Sequence, residues 1–158
     1  KADDGLGNIL STGDAQRVQG IELGVVGNVT ERWSITANYA FLDSETTETT
    51  TANAEGKRVP NVPEHSAALW TTYMPIPELT LGVGATYADK VYLNNTNLAS
   101  VPSAFSVDAL VSYRIAGRWL LQLNATNLFD ELNYAGSQNG RAVPSPGRTF
   151  IFSIGTVF

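Results

Sequence analysis

Groups that can shuttle a proton, hold a metal or attack a carbonyl are scarce in this 158-residue chain, which has one histidine, His65, and no cysteine. Without cysteine there is no thiolate zinc site, no cysteine nucleophile and no disulfide framework. A Ser-His-Asp triad would have to use His65, which follows Pro63-Glu64 at the start of an expected strand. A solvated histidine at a loop edge is the simpler reading. Asp3-Asp4 and Asp130-Glu131 are carboxylate pairs in polar loops, without further oxygen ligands at calcium-site spacing. Gly82-Val83-Gly84 lies inside an alternating segment with no strand-to-helix switch after it, so it is not a phosphate loop. No catalytic constellation, no protein metal site and no cofactor are expected.

The elements that position the remaining polar groups follow from charge and periodicity. Ten Lys+Arg stand against 15 Asp+Glu, a net charge of −5, which argues against a nucleic-acid surface. Charged residues are 16% of the chain, well under the ~25% usual for soluble domains. No run of about 18 apolar residues exists, so no transmembrane helix is expected. Residues 1–16 (KADDGLGNILSTGDAQ) lack the basic start and apolar centre of a signal peptide and read as a loop.

From Arg17 onward apolar residues recur at every second position, the period of a strand with two unlike faces. Ile21, Leu23, Val25 and Val29 share one face; Gly20, Glu22, Gly24 and Asn28 share the other. Trp33, Ile35, Ala37, Tyr39 and Phe41 oppose Ser34, Thr36, Asn38 and Ala40. The same alternation predicts strands over about 17–29, 33–45, 64–74, 79–90, 103–115, 119–129 and 145–158, seven in all. The third is the least regular: with Leu69, Thr71 and Tyr73 on the apolar side, Trp70 falls among polar residues.

Connections alternate between short turns (30–32, 75–78, 116–118) and long polar segments (46–63, 91–102, 130–144). Long loops on one edge and tight turns on the other are the layout of an antiparallel transmembrane β-barrel. Trp33, Tyr73, Tyr113, Trp119 and Phe158 fall on the short-turn edge, and Phe41, Tyr87, Phe105 and Phe150 on the long-loop edge. These are expected as two aromatic girdles bracketing a band that meets outer-membrane lipid. From Trp33 to Phe41 the strand rises about 26 Å, or about 20 Å in height at a tilt of ~40°, near the ~25 Å apolar band expected.

The opposite face carries Thr80, Gly82, Gly84, Gln122, Asn124 and Thr126. Burying such amides and hydroxyls unpaired costs roughly 1–3 kcal/mol each, so they suit water or a polar filling. That makes the barrel wide, and seven strands cannot close a wide barrel. The chain is therefore expected to be the C-terminal part of a longer one.

Five segments carry a family resemblance: residues 17–45 (RVQGIELGVVGNVTERWSITANYAFLDSE), 59–73 (VPNVPEHSAALWTTY), 107–115 (VDALVSYRI), 123–134 (LNATNLFDELNY) and the ending 146–158 (PGRTFIFSIGTVF). Together they resemble the late barrel of TonB-dependent siderophore receptors, the catecholate type in particular. The resemblance implies an all-β outer-membrane barrel of about 22 strands, of which these would be the last seven, surrounding an N-terminal plug. It further implies import of a ferric siderophore into a Gram-negative bacterium, driven by the TonB complex through the N-terminal part. Iron would be cargo, not a cofactor. A final Phe158 after alternating apolar residues resembles the signal read by the barrel-assembly machinery.

A ferric catecholate is anionic and rich in aromatic rings, so Arg or Lys would pair with it, Tyr would stack and Asn or Gln would donate hydrogen bonds. The long loops supply Lys57 and Arg58, then Tyr92 and Asn95, then Tyr134, Gln138 and Arg141. Two other readings compete: part of a passive diffusion porin, or a small self-contained ligand-binding barrel. A porin would be expected to have more charge in its lining than Glu22, Asp108 and Arg114. A self-contained barrel would bury its apolar face.

Overall fold

The computed structural model describes the backbone of residues 2–3, 9–10, 15–138 and 141–156. Seven strands form one antiparallel sheet in chain order: β1 (Ala15–Thr30), β2 (Trp33–Glu48), β3 (His65–Ile76), β4 (Leu79–Ala88), β5 (Ala104–Ile115), β6 (Trp119–Thr126) and β7 (Thr149–Thr156). Each pairs only with its sequence neighbours, so β1 and β7 are both edges. The sheet does not close on itself, which removes the reading of a self-contained barrel. Ala2–Asp3 pairs with Ile9–Leu10 in a short ribbon inside the segment expected as a loop. Phe158, the expected assembly signal, lies outside the described residues.

The register carries the two faces across the whole sheet. One row runs Gly27, Ile35, Thr71, Val83, Ala109, Ala125, Phe150. The adjacent row, facing the other way, runs Asn28, Ser34, Thr72, Gly82, Leu110, Asn124, Ile151. A slip of one residue in any strand would exchange its faces, so the alternation itself fixes the pairing.

The apolar face has no partner. Leu81 is 37% exposed, Val83 51% and Phe152 62%, and they lie side by side rather than converging on a centre. Total accessible surface is 10674 Å², against roughly 7,700 Å² for a compact globule of this mass. The buried apolar side chains among the described residues are Ala54, Val59, Val101 and Ala125; the first three lie beyond or at the margins of the seven strands. An extended wall greasy on one side and polar on the other is not a soluble core.

Several strand ends differ from the periodicity reading, each for a local reason. β1 and β2 run longer, from Ala15 and to Glu48, and Arg17 pairs with Glu45 at 2.7 Å across them. β3 covers His65–Ile76 rather than 64–74, and β4 stops at Ala88 rather than at 90. β6 stops at Thr126 rather than 129 because Asn127 takes a left-handed φ of 51° and turns the chain out of the ladder. β7 begins at Thr149 rather than 145, since the Arg148 amide bonds the Asp130 side chain at 2.8 Å instead of a strand. The β5–β6 turn holds consecutive left-handed residues, Ala116 (φ 50°) and Gly117 (φ 67°), and is closed by Arg118 N–H donating to the Ile115 carbonyl at 3.1 Å.

Trp70 does sit on the polar face, in the row of Thr36 and Gly84. Its ring lies along β4: a Cβ at Gly82 would fall 2.8 Å from its Cζ2, and one at Gly84 would run into Cε3. The two glycines give the indole a recess in the wall, which is why a large aromatic is tolerated on this face.

Candidate functional site

All three long connections leave the same edge: 49–64 between β2 and β3, 89–103 between β4 and β5, and 127–148 between β6 and β7. The first folds back over the end of β2, with Thr46 N–H donating to Lys57 C=O at 2.8 Å and Gly56 N–H to Thr46 C=O at 2.9 Å. Arg58 then reaches down to the strand ends. Its guanidinium bonds Glu64 Oε2 at 2.6 Å and the Leu42 carbonyl at 3.0 Å.

The second loop contains a small hairpin, with Val91 opposite Val101 and Tyr92 opposite Ser100. Asn94 closes its tip: Oδ1 accepts from Leu98 N–H at 3.1 Å, and the Asn94 carbonyl accepts from Asn97 N–H at 3.1 Å. Asn97, at φ 57°, binds the first loop through its side chain, and Asn61 N–H donates to the Tyr92 carbonyl at 3.0 Å. The two loops are thus tied at two points.

Beside these ties is a cavity of about 510 Å³ lined by Arg58, Glu64, Tyr87, Asp89, Lys90 and Tyr92, with Pro102 and Ser103. Its charges are unequally engaged. Arg58 is paired with Glu64, and Asp89 accepts from the Tyr87 hydroxyl at 2.6 Å and from His65 N–H at 3.2 Å. Lys90 instead places its ammonium 5.4 Å from the centre of the Tyr92 ring. A cation over an aromatic face offers both charge and stacking surface to an anionic, ring-bearing ligand.

Of the sequence-chosen residues, the cavity brings together Arg58 and Tyr92. Lys57 and Asn95 belong to the same loops but do not line it, and Tyr134, Gln138 and Arg141 stand on a separate ribbon. There Tyr134–Gln138 pairs with Arg141–Pro144, Gln138 directly opposite Arg141. Sequence reading missed Lys90, Glu64, Tyr87 and Asp89. Asp89 and Lys90 directly follow the last alternating residue of β4, so by periodicity alone they read as strand.

The third loop is anchored by its own asparagines. Asn127, 6% exposed, accepts from Glu131 N–H and donates to Glu131 C=O, both at 2.9 Å, while its own N–H bonds Asp108 Oδ1 at 2.9 Å. The NLFD segment is therefore a loop anchor rather than a ligand site. A second cavity, of about 370 Å³, opens beside this anchor among Thr86, Ser106, Asp108, Asn127 and Asn133. The polar groups of both asparagines there are consumed internally.

His65 is placed for packing. It lies opposite Phe41 on the apolar face, 2.8 Å from the Tyr39 hydroxyl through Nδ1, with ring centres 6.0 Å from Tyr39 and 5.2 Å from Phe41. The histidine reads as part of an aromatic row, not as a base. Among the described residues no group of three His, Cys, Asp or Glu side chains could hold a metal ion.

Residues 2–128 match the family model described as TonB dependent receptor-like, beta-barrel. The chain belongs to the TonB-dependent receptor β-barrel family. It is 38% identical over 149 residues to the probable TonB-dependent siderophore receptor PiuA of Acinetobacter baumannii, covering 87% of this chain and 20% of that protein. It is 30% identical over 147 residues to the catecholate siderophore receptor Fiu of Escherichia coli K12, covering 87% of this chain and 19% of that one. The crystal structure of PiuA superposes with a TM-score of 0.82 over 88% of this chain and 21% of that chain, at 37% identity. The closed form of Fiu gives 0.76 over 88% and 20%, at 29% identity. The chain thus spans about a fifth of the curated relatives it matches.

In a TonB-dependent receptor barrel the open sheet is a sector of wall. The face of Ile35, Val83 and Phe152 looks outward, and that of Ser34, Gly82 and Asn124 lines the bore. Trp33 pairs directly with Tyr73 at the short-turn edge, with Tyr113 beside Leu121 and Trp119 beside Ile115. At the other edge Tyr39, Ala67, Tyr87 and Phe105 form one row, with Phe41 next to it. Phe150 instead shares the row of Ile35, nearer the short turns. Ladder rows run obliquely to the rim of a barrel whose strands tilt, so one girdle crosses several rows.

Proposed function

We propose that the chain is the C-terminal wall of an outer-membrane receptor that captures a ferric siderophore at the long-loop rim and imports it through the barrel. Lys90 over Tyr92, beside Arg58 in the rim cavity, is the observation that carries the reading of the cargo. An iron chelate of the catecholate kind presents negative charge and ring faces together, and this corner offers partners for both. The likeness to PiuA and Fiu supports the same class of cargo.

Import then needs no covalent chemistry. Iron crosses as part of the chelate, the loops hold it by charge and stacking, and the TonB complex acts through the N-terminal portion of the protein. The outward face meets lipid of a Gram-negative outer membrane, and Phe158 presents the last strand to the barrel-assembly machinery. Nucleic acid has no part in it.

The test uses the full-length receptor in iron-starved cells and radiolabelled ferric tris-catecholate. Lys90→Ala with Tyr92→Ala should weaken binding by about tenfold or more, the scale expected when a charged contact and a stacking contact are both lost. Unchanged affinity at equal receptor levels would remove the rim cavity from the capture site.

A further inference from the structure

Asn97 is seven residues from the nearest charged side chain in sequence, Lys90, lies at a hairpin tip, and would pass as a solvated loop side chain. The geometry points to a different role: Asn97 is a positioning residue that sets the Lys90–Tyr92 pair against the cavity wall. Its Oδ1 accepts from Arg58 N–H at 2.8 Å, and its Nδ2 donates to Arg58 C=O at 2.9 Å. One carboxamide thereby engages both backbone groups of a residue 39 positions away, the way a strand neighbour would.

The arrangement is specific to asparagine. Aspartate lacks the donor, glutamine adds a rotatable bond, and the left-handed φ of 57° favours Asn or Gly over other residues. Nδ2 also donates to the Asn94 carbonyl at 3.2 Å, so the same amide closes the hairpin tip it projects from.

The consequence for the cavity follows from what each end holds. Arg58 is fixed to the strand ends through Glu64 and Leu42. Tyr92 lies in the hairpin that Asn97 clasps to Arg58, and its carbonyl is held by Asn61 N–H. Clasping tip and flank sets the face of the hairpin that carries Tyr92, and Lys90 directly precedes that hairpin. Ordering the loop before the ligand arrives removes that entropic cost from binding. The inference rests on the rim cavity being the capture site.

Asn97→Gly is the discriminating variant, since glycine keeps the left-handed backbone and removes the carboxamide that makes the clasp and the side-chain bond to Asn94. In the full-length receptor, spin labels on Glu55→Cys and Leu98→Cys report the distance between the two loops. Asn97→Gly should broaden that distance and weaken ferric tris-catecholate binding about tenfold, leaving the melting temperature and the maximal uptake rate at saturating chelate unchanged. Asn97→Asp should behave likewise. Wild-type affinity in Asn97→Gly, an unbroadened distance, or a lower maximal rate with unaltered affinity would each overturn the role. If the wild-type receptor itself does not bind the chelate, the capture-site reading falls and takes this inference with it; wild-type binding matched by Asn97→Gly sinks the inference alone.

Discussion

Asn133 and Phe105 meet as if both were strand residues. The Asn133 Oδ1 accepts from Phe105 N–H at 3.1 Å, and its Nδ2 donates to Phe105 C=O at 2.7 Å. A loop side chain thus extends the ladder of β5 past the point where β6 leaves it, and the Asn133 carbonyl in turn accepts from Ser145 N–H at 2.8 Å. Asn133→Ala should cost the third loop about 1–3 kcal/mol of local stability, the usual scale for removing paired backbone bonds. Hydrogen exchange at Phe105 and Ser145 should accelerate while exchange in the middle of β3 stays unchanged.

The recess under Trp70 makes a second test. Gly84→Ala places a methyl group inside the indole, so the ring must swing toward the bore. Overpacking of this kind costs roughly 1–3 kcal/mol. Adding Trp70→Ala should restore most of the loss, because the clash then has no partner. Thermal unfolding of the four receptors in detergent measures the coupling; additive losses would mean that the indole is not held where Gly84 leaves room.

Facing can be tested with one charge placed on either side. Val83, 51% exposed in the outward row, should tolerate Arg poorly: about 2–4 kcal/mol is lost when a cation sits near the bilayer midplane. Asn124, in the bore-lining row, should accept Arg at little cost. Folding into lipid vesicles, read as heat-modifiable gel mobility, should separate the two variants. Equal tolerance would contradict the assignment of the faces.

Removal of Phe158 addresses assembly instead of stability. The edge strand must be paired until the barrel closes, and a receptor lacking Phe158 should reach the outer membrane in smaller amounts. Surface labelling at matched expression gives the answer, and wild-type levels would dismiss the residue as a signal.

Alternation at period two was enough to locate the strands and to separate their faces, because in a wall one layer thick every residue meets either the outside or the bore. Even Trp70, the exception, lies on the polar face where the alternation puts it; the reason it is tolerated there, two glycines on the neighbouring strand, is a fact of the tertiary structure. Loop chemistry was legible as composition and not as arrangement. Arg58 and Tyr92 are picked out by side-chain type alone, but that type does not say that Arg58 is engaged by Glu64, that Lys90 lies over Tyr92, or that Asn97 joins the two loops. Local periodicity is set by neighbours one and two positions away, whereas the Arg58–Glu64 and Asn97–Arg58 contacts span 6 and 39 positions. They are chosen by which loops the sheet brings side by side, and only the tertiary structure decides that.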